Sequence, residues 1–273
     1  MFTLFGDYFH HLGMEIWVGS LIKYMGQFGF SDGAVRVTLS RMSQQGWLKS
    51  RKIGQRGFYH LTAKGQKRIR DGVTRVYETK EVQWDNQWRI VVESIPEKLR
   101  ENKEKLKKEL QWTGFGYLGN NVWISPHNLY PQVMDLIEEH KLHAYVDFYT
   151  ARYDGPQTNR DVVQKTWQLD DIKEKYEQFL SHFEPLYERL YRLDAAGKLT
   201  DSECFTQRAL LVHEYRKFLF IDPELPREVL PADWIGDEAS GFFQEFHRFL
   251  SPKAEKFFYD NLCVPEDYKG ETT

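Results

Sequence analysis

Residues 31–62 read SDGAVRVTLSRMSQQGWLKSRKIGQRGFYHLT, and this stretch decides the fold of the N-terminal part of the chain. Ser31 stands where an N-cap belongs, with a hydroxyl able to accept from an orphan backbone N–H of the first turn. Asp32 follows, near the helix end whose dipole favours a carboxylate. Val35, Leu39 and Met42 recur at spacings of four and three, so they share one face and should pack inward. Arg36, Val37, Ser40, Arg41 and Gln44 occupy the opposite face. Gly46 is placed to end the helix with a left-handed residue. Residues 47–52 and 58–62 then alternate as a hairpin, with residues 53–57 as its tip. Two glycines there supply positive φ, while Arg51, Lys52 and Arg56 supply charge.

Working outward, a preceding helix is expected over residues 18–27, buried through Val18, Leu21, Ile22 and Met25, with a turn at Gly29 joining the two. A closing helix is expected over Ala63 to Tyr77, with Ile69, Val73 and Val76 as its apolar side and Lys64, Lys67, Arg68, Arg70 and Arg75 displayed. This is the layout of a winged helix-turn-helix, whose second helix enters a DNA major groove while the wing lies on phosphate. Charge separates that reading from an ordinary helix and hairpin. Segment 31–70 holds ten Lys/Arg against one acid, Asp32, a net of +9. The whole chain is −3, so the remainder sums to −12. A basic block in an acidic protein is the footprint of a phosphate-binding surface. Arg36, Val37, Ser40 and Arg41 are the expected base or phosphate contacts, and Arg51, Lys52 and Arg56 the expected wing contacts.

Several runs carry a resemblance: LFGDY at 4–8, EIWVGSL at 15–21 two residues after Gly13, LSRM at 39–42 behind Ala34-Val35-Arg36, GWL at 46–48 and IGQRGFYHLT at 53–62. A distant stretch, IDPELPREVLPADWIG at 221–236, adds a second, with Val229 in place of a usual leucine. Together they resemble the PaaX-type repressors of phenylacetate catabolism, over nearly the whole chain.

The remainder bounds the class. At 273 residues there is room for two or three domains with real cores, and 15% aromatic content argues against disorder. No apolar run approaches the roughly 20 residues that span a bilayer. MFTLFGDYFHH lacks the basic start and small-residue cleavage site of a signal peptide. Cys204 and Cys263 lack CxxC spacing, which suits a reducing cytosol and excludes a cysteine-based structural zinc site. A cytoplasmic regulator without a cofactor fits, as would many enzymes.

The fold class is therefore read as α+β, in three domains: a winged helix-turn-helix over 1–80, a ferredoxin-like middle domain over 86–160 and a helical domain over 163–273. After a connector at 78–87, the middle domain offers a strand at 88–95, a charged helix behind Pro96 with Leu99, Leu106 and Leu110 inward, and a hairpin at 116–126 turning about Gly119-Asn120 or Asn120-Asn121. A helix at 131–140 and a strand at 143–153 follow. Their β-α-β-β-α-β order is that of the ferredoxin-like half-barrel. Beyond it, 167–193, 201–220 and 240–262 show apolar repeats of three and four, with Asp201 or Ser202 as a cap and a frayed polar tail at the end.

The rival class is a metal-dependent nuclease on the middle domain, since that small fold is also used by CRISPR-associated nucleases. Its carboxylates must converge on hydrated Mg²⁺, and the strands offer only Glu93 and Asp147. His140 and His143 form an HxxH at the junction of a helix and a strand, with no evident carboxylate partner. No GxSxG, P-loop or dinucleotide glycine pattern occurs.

The resemblance also implies an effector, an aryl-acetyl-CoA thioester such as phenylacetyl-CoA, which requires cations for phosphates and an aromatic-lined pocket for the acyl part. HEYRKF at 213–218 resembles a family stretch, so His213, Tyr215, Arg216 and Lys217, beside Trp234 of the distant signature, are the expected effector contacts. A helix carrying Lys103, Lys105, Lys107 and Lys108 is another place for phosphates. A homodimer on double-stranded operator DNA follows from the resemblance and from the need to read two half-sites.

Overall fold

The computed structural model describes residues 1–10, 12, 15–77 and 83–263; the polar tail, the start of the connector and the expected boundary at 80 lie outside them. The fold is α+β and divides into two compact units, each assembled from separated stretches. Residues 1–78, 181–216 and 240–273 make one, residues 79–180 and 217–239 the other.

In the first unit, α1 (Phe2–Leu4) runs into a π-helical turn over Phe5–Phe9. Then come β1 (Ile16–Trp17), α2 (Val18–Gly26), α3 (Asp32–Gln44), β2 (Leu48–Ile53), β3 (Arg56–Leu61) and α4 (Ala63–Tyr77). The strands form an antiparallel sheet in the order β1-β3-β2. Alternation foretold the hairpin but not β1, which is only two residues long. Gly46 ends α3 at φ +75° as expected. Gly65 in α4 lies so close to the start of β2 that a Cβ there would sit 2.4 Å from the Trp47 carbonyl oxygen, so only glycine lets that helix dock.

The same unit includes the later part of α8 (Leu169–Ala195), α9 (Asp201–Tyr215) and most of α10 (Gly236–Asn261). These helices close on the N-terminal segment through aromatics. Tyr8 and Tyr24 stack on Phe258 at 4.9 and 5.2 Å, Tyr8 lies 5.1 Å from Phe205, and the Tyr24 hydroxyl donates to the Phe258 carbonyl at 2.6 Å. Beside this cluster Asp7 is buried. Its carboxylate accepts from Arg208 Nε at 3.0 Å and Nη2 at 2.9 Å, and from the Tyr77 hydroxyl at 2.7 Å. His247 lies at 3.2 Å, and Arg208 also reaches Glu255 at 2.9 Å. Burial alone would raise the Asp7 pKa, but the His247 hydrogen bond and the Arg208 charge outweigh it and hold the carboxyl below its ordinary value.

The expected cap of α9 is corrected. Thr200, not Asp201 or Ser202, has the extended backbone an N-cap needs, and its hydroxyl accepts from the Glu203 N–H. The Thr-x-x-Glu spacing was the available signal.

The second unit contains β4 (Trp88–Glu93), α5 (Arg100–Trp112), β5 (Gly116–Gly119), β6 (Val122–Ser125), α6 (Tyr130–Glu139) and β7 (Val146–Ala151). All pairings are antiparallel, in the order β5-β6-β4-β7. Asn120 and Asn121, at φ 50° and 63°, make the hairpin turn, the second of the two registers open to the sequence. One sheet face packs on α5 and α6 through Val91, Leu106, Leu110, Trp123, Val133 and Ile137. An additional helix, α7 (Asn159–Thr166), starts before the helical region read from the sequence; a capping box between Thr158 and Asp161 opens it.

Candidate nucleic-acid interface

The exposed face of α3 is built by its own periodicity. Ser31 Oγ accepts from the Ala34 N–H at 3.3 Å, while Val35, Leu39 and Met42 are buried. That fixes the helix rotation and leaves Arg36, Val37, Ser40 and Arg41 outward, with Val37 52% exposed. Arg36 and Arg41 make no ion pair among the described residues. An uncovered valine between uncompensated arginines suits a surface that meets base edges and phosphate together.

The hairpin divides its three expected cations. Gly54 and Gln55 form the tip, with Gly54 at φ +59°, and Ile53 faces Arg56 across it. Lys52 lies opposite Gly57, exposed and without an ion-pair partner among the described residues. Arg56 is exposed with its guanidinium 5.9 Å from the Trp17 ring. Arg51 differs. It lies opposite Phe58 and donates twice to Glu15 Oε2, at 3.0 and 2.6 Å, while His60 approaches the other oxygen at 3.4 Å. Its charge is already compensated inside the protein. Glu15 is the residue that sequence reading missed, because 36 positions separate the pair. Behind the hairpin, Lys64 sits 4.3 Å over the Trp47 ring and donates to the Gln45 carbonyl at the end of α3, a favourable place for a cation.

The expected effector residues are divided between the two units. His213, Tyr215 and Arg216 fall in the first, Lys217 and Trp234 in the second. Tyr215 is stacked on Phe243 at 3.9 Å, and Trp234 is buried edge-on to Tyr176, so packing uses both rings. His213 Nδ1 lies 3.3 Å from Thr3 Oγ1 and 3.4 Å from Arg216 Nη2. The Arg216 Nε atom is buried without a hydrogen-bond partner, and burial lowers that side chain's pKa, opposed by nearby Glu214. Of the α5 lysines, Lys103 is spent on Glu93 at 2.9 Å and on Asn121, and Lys107 reaches Glu104.

The nuclease alternative is not favoured by the sheet register. Glu93 pairs with Val146 and Asp147 with Val92, so the two carboxylates point to opposite faces. Glu93 is fully buried against Lys103, whereas Asp147 is exposed; one metal ion cannot hold both. His143, expected to lack a carboxylate partner, has one in Glu138 at 2.7 Å, an exposed pair. No group of three or more potential metal ligands occurs among the described residues. No helix among them is long and apolar enough to cross a membrane.

Three family models match in order: PaaX-like protein over residues 1–65, the PaaX protein central Cas2-like domain over 81–163, and the PaaX-like protein C-terminal domain over 167–260. The uncharacterised protein Rv0674 from Mycobacterium tuberculosis shares the fold, with a TM-score of 0.56, 24% identity and coverage of 88% of this chain and 91% of that one. The transcriptional repressor PaaX of Escherichia coli K12 is 32% identical over 274 aligned residues, 99% of this chain and 83% of the relative. With matching models along its length and a relative of that identity, this chain belongs to the PaaX family.

Proposed function

We propose that the chain is a DNA-binding transcriptional repressor of phenylacetate degradation genes, reading operator DNA through residues 1–80 as a winged helix-turn-helix. One observation carries the reading. The outward face of α3 sets Arg36, Val37, Ser40 and Arg41 free of partners among the described residues, within a segment of net +9. The repressor named among its relatives supports it. Arg36 and Arg41 contact bases or phosphate from the helix; Lys52 and Arg56, with a smaller share from Arg51, contact backbone from the wing. Residues 86–160 form a ferredoxin-like domain, which the antiparallel order β5-β6-β4-β7 supports. Residues 163–273, which are divided between the two units, carry the effector and dimerisation roles.

The repressor acts in the cytoplasm as a homodimer whose two heads read two half-sites. Phenylacetyl-CoA or a related acyl-CoA releases it by binding a dimer state that misplaces those heads. Arg216 and His213 are the proposed effector contacts in the first unit, supported by the unpartnered Arg216 Nε. Tyr215 supports the site by holding Phe243.

A mobility-shift titration on the DNA upstream of the protein's own and neighbouring genes, with and without phenylacetyl-CoA, tests the whole. The expected result is a shift on upstream DNA, resistant to unrelated duplex and reversed by the thioester; equal affinity for unrelated duplex overturns the DNA reading. An Arg216→Ala chain should still shift DNA but ignore the thioester. A normal response from it moves the effector site elsewhere.

A further inference from the structure

Strand β4 reads WRIVVE, so Trp88, Ile90 and Val92 make one face wholly apolar, while Val91 lies on the other between Arg89 and Glu93. Val91 satisfies one face within the α5 and α6 core. On the other face Ile90 pairs with Ile124, and Val92 with Val122. There α7 supplies partial cover. It approaches so closely that a Cβ on Gly116 would sit 2.3 Å from Thr166 Cγ2 and 2.5 Å from the Trp167 ring, and Trp88 Nε1 donates to Asn159 Oδ1 at 3.0 Å. Beside that helix a cavity of about 380 Å³ stays open over Ile90, Leu118, Val122 and Ile124.

The size falls within the range of small-molecule sites, roughly 300–1,000 Å³. The floor is apolar and Trp88 forms part of the lining. Among the described residues, the ionisable side chains that line the cavity include Arg152 and Lys165 and no carboxylate. Arg152 is held by Asp154 at 2.9 Å. The ammonium of Lys165, exposed on α7, makes no hydrogen bond or ion pair among the described residues. A cavity with an apolar floor and an unspent ammonium in its lining selects for a ligand with an apolar body and one anionic end.

We propose that this cavity of the second unit is a binding site for a small organic anion of the arylalkanoate class. The aryl body lies on Ile90, Leu118 and Ile124 and the anionic group meets Lys165. The site is separate from the Arg216 contacts proposed above, and it does not depend on the chain binding DNA.

Isothermal titration of the full chain with 3-phenylpropanoate, and with 3-phenylpropan-1-ol as its uncharged counterpart, tests the assignment without DNA. One acid per chain is expected, with the alcohol about tenfold weaker because it lacks the charge-assisted contact. Lys165→Glu should weaken the acid about tenfold and leave the alcohol unchanged; Leu118→Trp should fill the cavity and abolish both. Both positions lie at the surface or half-buried, and circular dichroism melts of the two variants verify that they fold. Absence of acid binding up to millimolar concentration overturns the proposal, as does acid binding that neither substitution changes.

Discussion

The α3–hairpin surface and the Asp7–Arg208 cluster belong to the same unit and both are rich in ionisable groups, yet they spend their charge in opposite ways. Around Asp7, the described guanidinium, hydroxyl and imidazole groups converge on one carboxylate that water hardly reaches. On α3, Arg36 and Arg41 face outward with no counter-ion among the described residues. A buried cluster must satisfy its members, because an uncompensated charge in low dielectric costs several kcal/mol. A binding surface must leave its members unsatisfied, because charges already neutralised inside the protein release no counterions from DNA. Spent charge marks what holds this unit together, and unspent charge marks what it offers a partner.

The sharpest way to break that contrast is to remove the guanidinium of the buried cluster. Arg208→Ala should cost about 3–5 kcal/mol, since it strands a buried carboxylate. Urea unfolding measures it, and a loss no greater than that of an exposed Arg→Ala change would mean that Asp7 is not committed as described. The same cluster fixes a pH dependence. The folded Asp7 pKa lies below its ordinary value, so its stabilisation is complete above the unfolded pKa of about 3.9 and disappears as pH falls through the lower folded value. Asp7→Asn should flatten this acid limb while lowering stability at neutral pH. An unchanged limb would assign acid sensitivity to other carboxylates.

What the sequence revealed, and what it hid, follows the same division. The α3 cap, its inward triad and the left-handed Gly46 depend on neighbours within four residues, so spacing disclosed them. The Asn120–Asn121 turn was one of two open registers, and only strand pairing chose between them. The Asp7–Arg208 pair spans 201 positions; nothing in LFGDY distinguishes a buried aspartate from a surface one. Tyr215 and Trp234 illustrate the same distance limit. Resemblance marked them as effector contacts, and their ring partners, Phe243 and Tyr176, lie too far away in the chain for spacing to disclose. Nor does sequence order show that one compact unit draws on three separated stretches.

On the exposed side, Arg36→Ala should weaken binding to a specific operator by about 1–3 kcal/mol and relax preference at one base pair if the guanidinium reads a guanine. Fluorescence anisotropy on the operator and on single-base variants measures both quantities. Unchanged affinity would remove Arg36 from the interface.

The smallest expected effect makes the finest test, because it sets spent against unspent charge within one strand. Lys52 and Arg51 are adjacent, and their side chains leave opposite faces of β2. Lys52 is exposed and unpaired among the described residues, whereas Arg51 is clamped to Glu15. If charge committed internally is withheld from DNA, Lys52→Ala should lower the slope of log affinity against log salt by about one, and Arg51→Ala by distinctly less. A Glu15→Gln substitution should then act in the opposite sense, freeing Arg51 and steepening the slope. Equal slope changes for the two cations would show that the Glu15 clamp opens on DNA, making the hairpin charges a single reservoir. Unequal changes that Glu15→Gln equalises would identify that carboxylate as the residue that sets how much of the wing's charge reaches phosphate.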